Sequence, residues 1–211
     1  MKVVLKPGGL FLLAIVLCLL SFFAWRQPKQ GVAIAGVGAP PRVGAPTPAI
    51  ATDTPRAAGS IVPNGDMSKT GADGVPEGWS VLWTGRGSLR LGGDATVFHS
   101  GPRSLWVDTG GGDAKGQVGT TLLTKAGEKY RVTGFLRVVG RGFFSIAVQY
   151  YDSASKPVGF EHLLQSDLKG GWMSCDKQIT VPAGATQFAL LLYVDGAGKG
   201  WLDDVSVVPA H

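Results

Sequence analysis

Cysteine is nearly absent from this chain: Cys18 and Cys175 are the only two in 211 residues. That excludes a multi-disulfide scaffold and a four-cysteine zinc site. Histidine occurs only at 99, 162 and 211, with no H-E-x-x-H spacing, so a three-histidine catalytic zinc centre is not expected. Asparagine is represented by Asn64 alone. Beyond residue 60, helical periodicity never persists for about twelve residues, so the chain offers no amphipathic helix for a core. Glycine, by contrast, is plentiful. The 32 Gly and 13 Pro make about a fifth of the chain, above average usage but short of the range that signals disorder.

Charge of one sign is also missing from most of the molecule. The net charge of +5 arises at the N-terminus, where Lys2, Lys6, Arg26, Lys29, Arg42 and Arg56 face only Asp53. Residues 61–211 then carry fourteen basic and fourteen acidic side chains. A balanced domain has no overall electrostatic reason to seek DNA or RNA, and no nucleic-acid partner is expected.

Residues 10–25 read LFLLAIVLCLLSFFAW, uncharged and preceded by Lys2 and Lys6. This is either a signal anchor or a cleaved signal peptide. At about 1.5 Å per residue the run reaches roughly 24 Å, short of a hydrocarbon core of about 30 Å. Gly8 and Gly9 can lengthen it, and flanking Lys and Arg can snorkel. Phe23, Ala24, Trp25 and Arg26 make a poor cleavage site, and Ala33-Ile34-Ala35 lies far from the run. The anchor is therefore favoured, with the domain held outside the cytoplasm. Cleavage would make it secreted. Residues 26–60 hold six of the thirteen prolines among Gly, Ala and Thr. Such a linker is disordered and extended, with no means of burying a core.

From residue 80 the pattern changes to short alternating runs broken by Gly, Asp and Pro. Candidate strands are 80–84, 88–91, 95–98, 103–109, 116–123, 129–139, 143–152, 157–162, 172–181, 186–194 and 200–208. Many short, evenly spaced strands predict an all-β sandwich or barrel. Alternation assigns the faces. Tyr130, Val132, Leu136 and Val138 form one core phase, Phe144, Ile146, Val148 and Tyr150 another, and Phe188, Leu190 and Leu192 a third. Each opposite phase keeps an aromatic: Phe135, Tyr151 and Tyr193. If these strands are neighbours, one sheet presents Phe135, Arg137, Gln149, Tyr151, Leu191 and Tyr193 together. Flat rings beside amide and guanidinium donors suit a sugar, whose apolar ring faces stack while its hydroxyls bond. Trp106 falls between the core positions Leu105 and Val107, so it faces outward, lining a cleft or plugging a loop.

Catalytic signals are wanting. There is no G-x-S-x-G elbow, and the run Gly110-Gly111-Gly112-Asp113 lacks the Lys-Ser/Thr of a phosphate loop. Asp203 and Asp204 are adjacent on a predicted strand and should point to opposite faces, so they cannot serve one bond as a pair. Cys175 has no histidine beside it in sequence and is expected as a buried, inert thiol. No enzymatic activity is expected.

Several local signatures coincide in order: Asn64-Gly65-Asp66-Met67, Pro76-Glu77-Gly78-Trp79, His99-Ser100-Gly101-Pro102-Arg103-Ser104-Leu105-Trp106-Val107, Tyr130 to Arg137, Trp172 with Ile179 to Ala185, and Gly200 to Val207. Over roughly 61–208 the chain resembles carbohydrate-binding modules of the CenC type, related to families 4, 9, 16 and 22. The resemblance implies a galactose-binding-like β-jelly roll that binds a poly- or oligosaccharide without cleaving it. It also implies core packing for Trp79 and Trp172. Trp83 could be core or rim. The resemblance suggests a structural calcium with Asp203 as ligand, although Ser68 stands where the family's opening motif usually carries Glu. Asp203 is expected to face inward with Trp201, Val205 and Val207, where a buried carboxylate needs a cation or hydrogen-bond donors. The alternative function is a structural or protein-interaction module of the cell envelope, docking a protein partner through the same sheet.

Overall fold

The computed structural model describes residues 59–210. The hydrophobic run 10–25 and nearly all of the Pro-rich linker lie outside the described residues. Ten strands follow in order: β1 Ser80–Arg86, β2 Arg90–Asp94, β3 Ser104–Asp108, β4 Ala114–Leu123, β5 Lys129–Gly140, β6 Phe143–Tyr151, β7 Pro157–Gln165, β8 Met173–Thr180, β9 Gln187–Gly196 and β10 Gly198–Pro209. They form two antiparallel five-stranded sheets, ordered β1-β4-β9-β6-β7 and β2-β3-β10-β5-β8. This is the expected all-β sandwich. The candidate strand 95–98 is the exception, lying in the loop between β2 and β3.

The core lies between the two sheets, and the alternating phases fill it as expected. Leu136, Phe144, Ile146, Phe188, Leu190 and Leu192 are all completely buried. Val62 and Met67, from the segment before β1, join the same core. That segment is held by Ile61 N–H donating to Val207 O at 2.9 Å and Val205 N–H donating to Gly65 O at 2.8 Å. Trp79 is buried there, as expected. Cys175 is buried too, and burial pushes its thiol up to about 11, which keeps it protonated and inert.

Most consecutive strands change sheets, and two of these connections are short and built on glycine. The β5–β6 connection runs Gly140-Arg141-Gly142, and the β9–β10 connection runs Gly196-Ala197-Gly198. The two cross in contact: Arg141 and Gly142 both donate N–H to Ala197 O at 2.8 Å. A Cβ on Gly142 would sit 2.8 Å from the Gly196 backbone, so neither position tolerates a side chain. This crossing sends β5 and β6, neighbours in sequence, to opposite sheets.

Strand β10 carries a further irregularity. Its pairing with β5 shifts register between Asp203 and Ser206, and Asp204 has φ 49. A bulge inserts one extra residue and flips the side-chain phase beyond it. Leu202, Val205 and Val207 all face the core. Asp203 and Trp201, before the bulge, face the opposite side of the sheet. The inward placement expected for Asp203 is therefore corrected: it is fully buried, but beneath a loop and not in the inter-sheet core.

Candidate functional site

The outer face of the β1-β4-β9-β6-β7 sheet is built in rows, each strand contributing one residue per row. One row runs Trp83, Gln117, Tyr193, Ser145, Gln165. The next contains Gly119, Leu191, Ala147 and His162, and a third contains Thr121, Ala189, Gln149 and Phe160. The small residues Gly119, Ala147 and Ala189 thus sit beside Leu191 in the central part of the face. Ala147, Ala189 and Leu191 are completely buried, with Tyr151 and Tyr193 packed against them. Leu191 fits because its neighbour is glycine: a Cβ on Gly119 would fall 2.8 Å from Leu191 Cδ2. Leu191 is therefore floor beneath the surface and offers a ligand no direct contact.

Trp83 forms one wall. It is 46% exposed, and its ring lies against Gly85, where a Cβ would come within 2.4 Å of Trp83 Cη2. Glycine two residues on lets the indole lie along its own strand. A cleft of about 420 Å³ opens beside it, lined by Leu82, Trp83, Gln117, Gln149, Tyr151 and Pro157. On the other side four rings meet edge to face: Phe143, Phe160, His162 and Tyr193, with His162 at 5.1, 4.8 and 5.3 Å from the other three. Such geometry suits aromatic quadrupoles and rigidifies the wall. Burial lowers the His162 pKa, so the ring is neutral at pH 7. Its Nδ1 is 2.7 Å from Ser145 Oγ. Ser145 is completely buried, which withholds it from any nucleophilic role.

The polar groups of this cleft are uncharged. Gln149 Nε2 donates to Gly159 O at 2.5 Å, which leaves its amide oxygen for a ligand. Burial raises the Tyr151 pKa, keeping the hydroxyl protonated. Charge appears only at one end, where Asp195 bridges Arg86 (2.5 Å) and Lys115 (3.0 Å) and accepts from Tyr193 Oη at 3.3 Å. The hydrogen bonds from Lys115 and Arg86 hold Asp195 below the usual carboxylate range. A larger hollow of about 510 Å³ adjoins Pro63, Asn64 and Lys69, but no aromatic ring lines it.

The expected site does not assemble as one surface. Gln149, Tyr151, Leu191 and Tyr193 share the first sheet. Phe135 and Arg137 stand on the outer face of the second, because the chain crosses between sheets at Gly140–Gly142, and Trp106 stands there on β3. Phe135 is also covered: His99 stacks on it with centroids 3.4 Å apart. Trp172, expected in the core, lies edge-on to the same histidine at 5.8 Å. Trp83, left open between core and rim, is rim. Phe143, Phe160 and the site role of His162 escaped sequence reasoning. His162 and Phe160 do alternate on one strand, a signal that was there to use.

The loop between β2 and β3 covers the second outer face at Phe135, Asp203 and Asp204. Asp203 Oδ2 accepts from His99 N (2.8 Å) and Ser100 N (3.2 Å), and Oδ1 accepts from Asp204 N (2.7 Å). Burial, with the neighbouring Asp204 charge, pushes Asp203 up to about 7 against the pull of those three donors. The bulge also turns Asp204 toward the same loop, contrary to the opposite-face expectation. Asp204 meets His99 Nδ1 and Ser100 Oγ, each at 2.6 Å. Serine and histidine both bond the carboxylate and not each other, which is not a nucleophile–base arrangement. Three N–H donors already bond the Asp203 oxygens, and among the described residues no three His, Cys, Asp or Glu converge as a metal site. These contacts do not suit calcium, which takes six to eight oxygens.

No protein-family profile matches the chain, and no curated protein matches it. Solved structures do. The chain is similar to the CBM22-1 xylan-binding domain of Paenibacillus barcinonensis Xyn10C, at 17% identity and TM-score 0.52, covering 68% of this chain and 90% of that one. It is similar to a second xylan-binding domain of family 22, at 16% identity and TM-score 0.54, with 73% and 97% covered. The domain has the fold of a carbohydrate-binding module. A similarity to the enzymatically active domain of bacteriophage CBA120 tailspike protein 4 (14% identity, TM-score 0.57) covers 72% of this chain but 21% of that one. The β-sandwich expected from the ordered signatures is thus the observed fold.

Proposed function

We propose that this domain binds a neutral polysaccharide in the cleft of the β1-β4-β9-β6-β7 sheet and does not cleave it. The observation that carries the reading is the Trp83 indole lying on Gly85, with Tyr151 in the same cleft and Tyr193 beyond Gln117 in the same row. Pyranose rings stack on such faces, and Gln117, the Gln149 oxygen and Tyr151 Oη can meet hydroxyls. The lining away from Asp195 has no charge to attract or repel an acidic sugar. Fold similarity to modules described as xylan-binding supports the same reading. Residues 10–25 would tether the domain to a membrane, with 26–60 as spacer. Asp203 bound to backbone N–H groups needs no cation, so no calcium enters the proposal.

The test is titration of the full-length chain with xylan and β-glucan oligosaccharides. Binding is expected, and Tyr151→Ala or Tyr193→Ala should each weaken it by about 1–3 kcal/mol, the worth of one buried aromatic face. No binding by folded protein, or undiminished binding by both variants, would refute the cleft and leave the envelope-docking alternative as the working reading.

A further inference from the structure

The second sheet has its own aromatic surface, different in chemistry from the cleft. Its cross-strand row runs Gly92, Trp106, Trp201, Arg137. The Trp106 indole lies on Gly92, where a Cβ would fall 2.9 Å from three ring atoms. One indole face is thus turned to the sheet and the other away from it. Lys199 Nζ stands 4.7 Å from the Trp106 centroid and 4.9 Å from that of Trp201. Arg137 lies 5.6 Å from Trp201 on the other side. Trp201 is fixed by Nε1–H donating to Asp94 Oδ2 at 2.9 Å.

The cations here are poorly compensated. Arg86, Arg90 and Arg131 each have a carboxylate partner within 3.1 Å. Arg137 has none among the described residues, and its Nε is buried without an acceptor. Lys199 reaches only Asp94, at 3.9 Å, and Asp94 is already taken by Trp201, Thr96 and Val97. An unpaired guanidinium beside an indole matches an anion carried on a ring with an apolar face.

We propose that this surface is a second glycan site, independent of the cleft, and that it takes an acidic polysaccharide of the uronic-acid class. A sugar ring packs beside the Trp106 indole, while Arg137 and Lys199 bond its carboxylate. A nucleic acid fits less well: phosphate tracking needs a continuous basic strip, whereas Asp94 and Asp108 interrupt this one and the domain is charge-balanced.

The test is binding of oligogalacturonate to the full-length chain, with xylohexaose and oligo(dT) as comparison ligands. Oligogalacturonate should bind and weaken as salt rises from about 50 to 500 mM, since the contact is ionic. Arg137→Gln and the surface variant Lys199→Gln should each cost about tenfold, and Tyr151→Ala should change nothing. Trp106→Ala should also weaken binding, with the two charge variants guarding against a misfolded protein. Absence of oligogalacturonate binding, loss with Tyr151→Ala alone, or tighter binding of oligo(dT) would each overturn the proposal. Xylohexaose binding is read separately and decides only the cleft.

Discussion

The two outer faces of this sandwich solve one packing problem in different ways. Each lays a tryptophan on a glycine, Trp83 on Gly85 and Trp106 on Gly92. On the first face the neighbouring floor is Ala147, Ala189 and buried Leu191, and the polar groups are amides and hydroxyls. On the second, Lys199 and Arg137 stand against the indoles, and the loop through His99 covers the remainder. Small neighbours leave a neutral hollow, while wedged cations leave a charged shelf. The aromatic count alone does not distinguish them; what stands between the rings does.

The comparison can be tested from its common base outward. Phe144 is completely buried between the sheets, against Gly200 on β10. Phe144→Ala should cost about 3–5 kcal/mol in denaturant melts and weaken both faces together. Loss at one face only would show that the sheets do not share one cooperative core.

The largest pH effect should arise at the second face. Asp203 is held near 7 when folded, against 3.8 normally. The folded state therefore binds this proton more tightly than the unfolded chain. Its contribution is most favourable below about pH 4 and is lost as pH rises through 7, an effect of order 2–4 kcal/mol. Thermal melts from pH 4 to 8 should show that decline, and Asp203→Asn should remove it, leaving the opposite slope of His162, whose lowered pKa favours the folded state at higher pH. A flat wild-type profile would mean the three N–H donors outweigh burial.

Smaller effects separate the faces further. Gly85→Ala places a methyl against Trp83 and should weaken xylo-oligosaccharide binding by about 1 kcal/mol with little change in melting temperature. Gly92→Ala should leave xylo-oligosaccharide binding unchanged. Equal effects would contradict two separate surfaces. The smallest expected effect is that of calcium: millimolar calcium or a chelator should not move the melting temperature, because three N–H donors already bond the Asp203 oxygens. A calcium-dependent rise would restore the cation to that position.

Much of this fold was legible in the sequence because burial imposes period two wherever one face is dry. Leu136, Phe144 and Phe188 announced the core directly. Sheet membership was not legible, since pairing is decided between distant segments. The Gly140–Gly142 crossing removes Phe135 and Arg137 from the face of Tyr151 and Tyr193, although the phases themselves were correct. The inward assignment of Asp203 failed for a local reason. One residue at φ 49 shifts the phase, and Asp204 is not a glycine that would have marked the bulge. Trp83 was readable in part: a tryptophan two residues before glycine on an alternating strand can lie flat.

The most direct test of two separate faces is mapping tryptophan oxidation by mass spectrometry, with and without xylohexaose. The account predicts that xylohexaose protects Trp83 and leaves Trp106 as reactive as in the free protein. Unprotected Trp83, or protection at Trp106 alone, would contradict it.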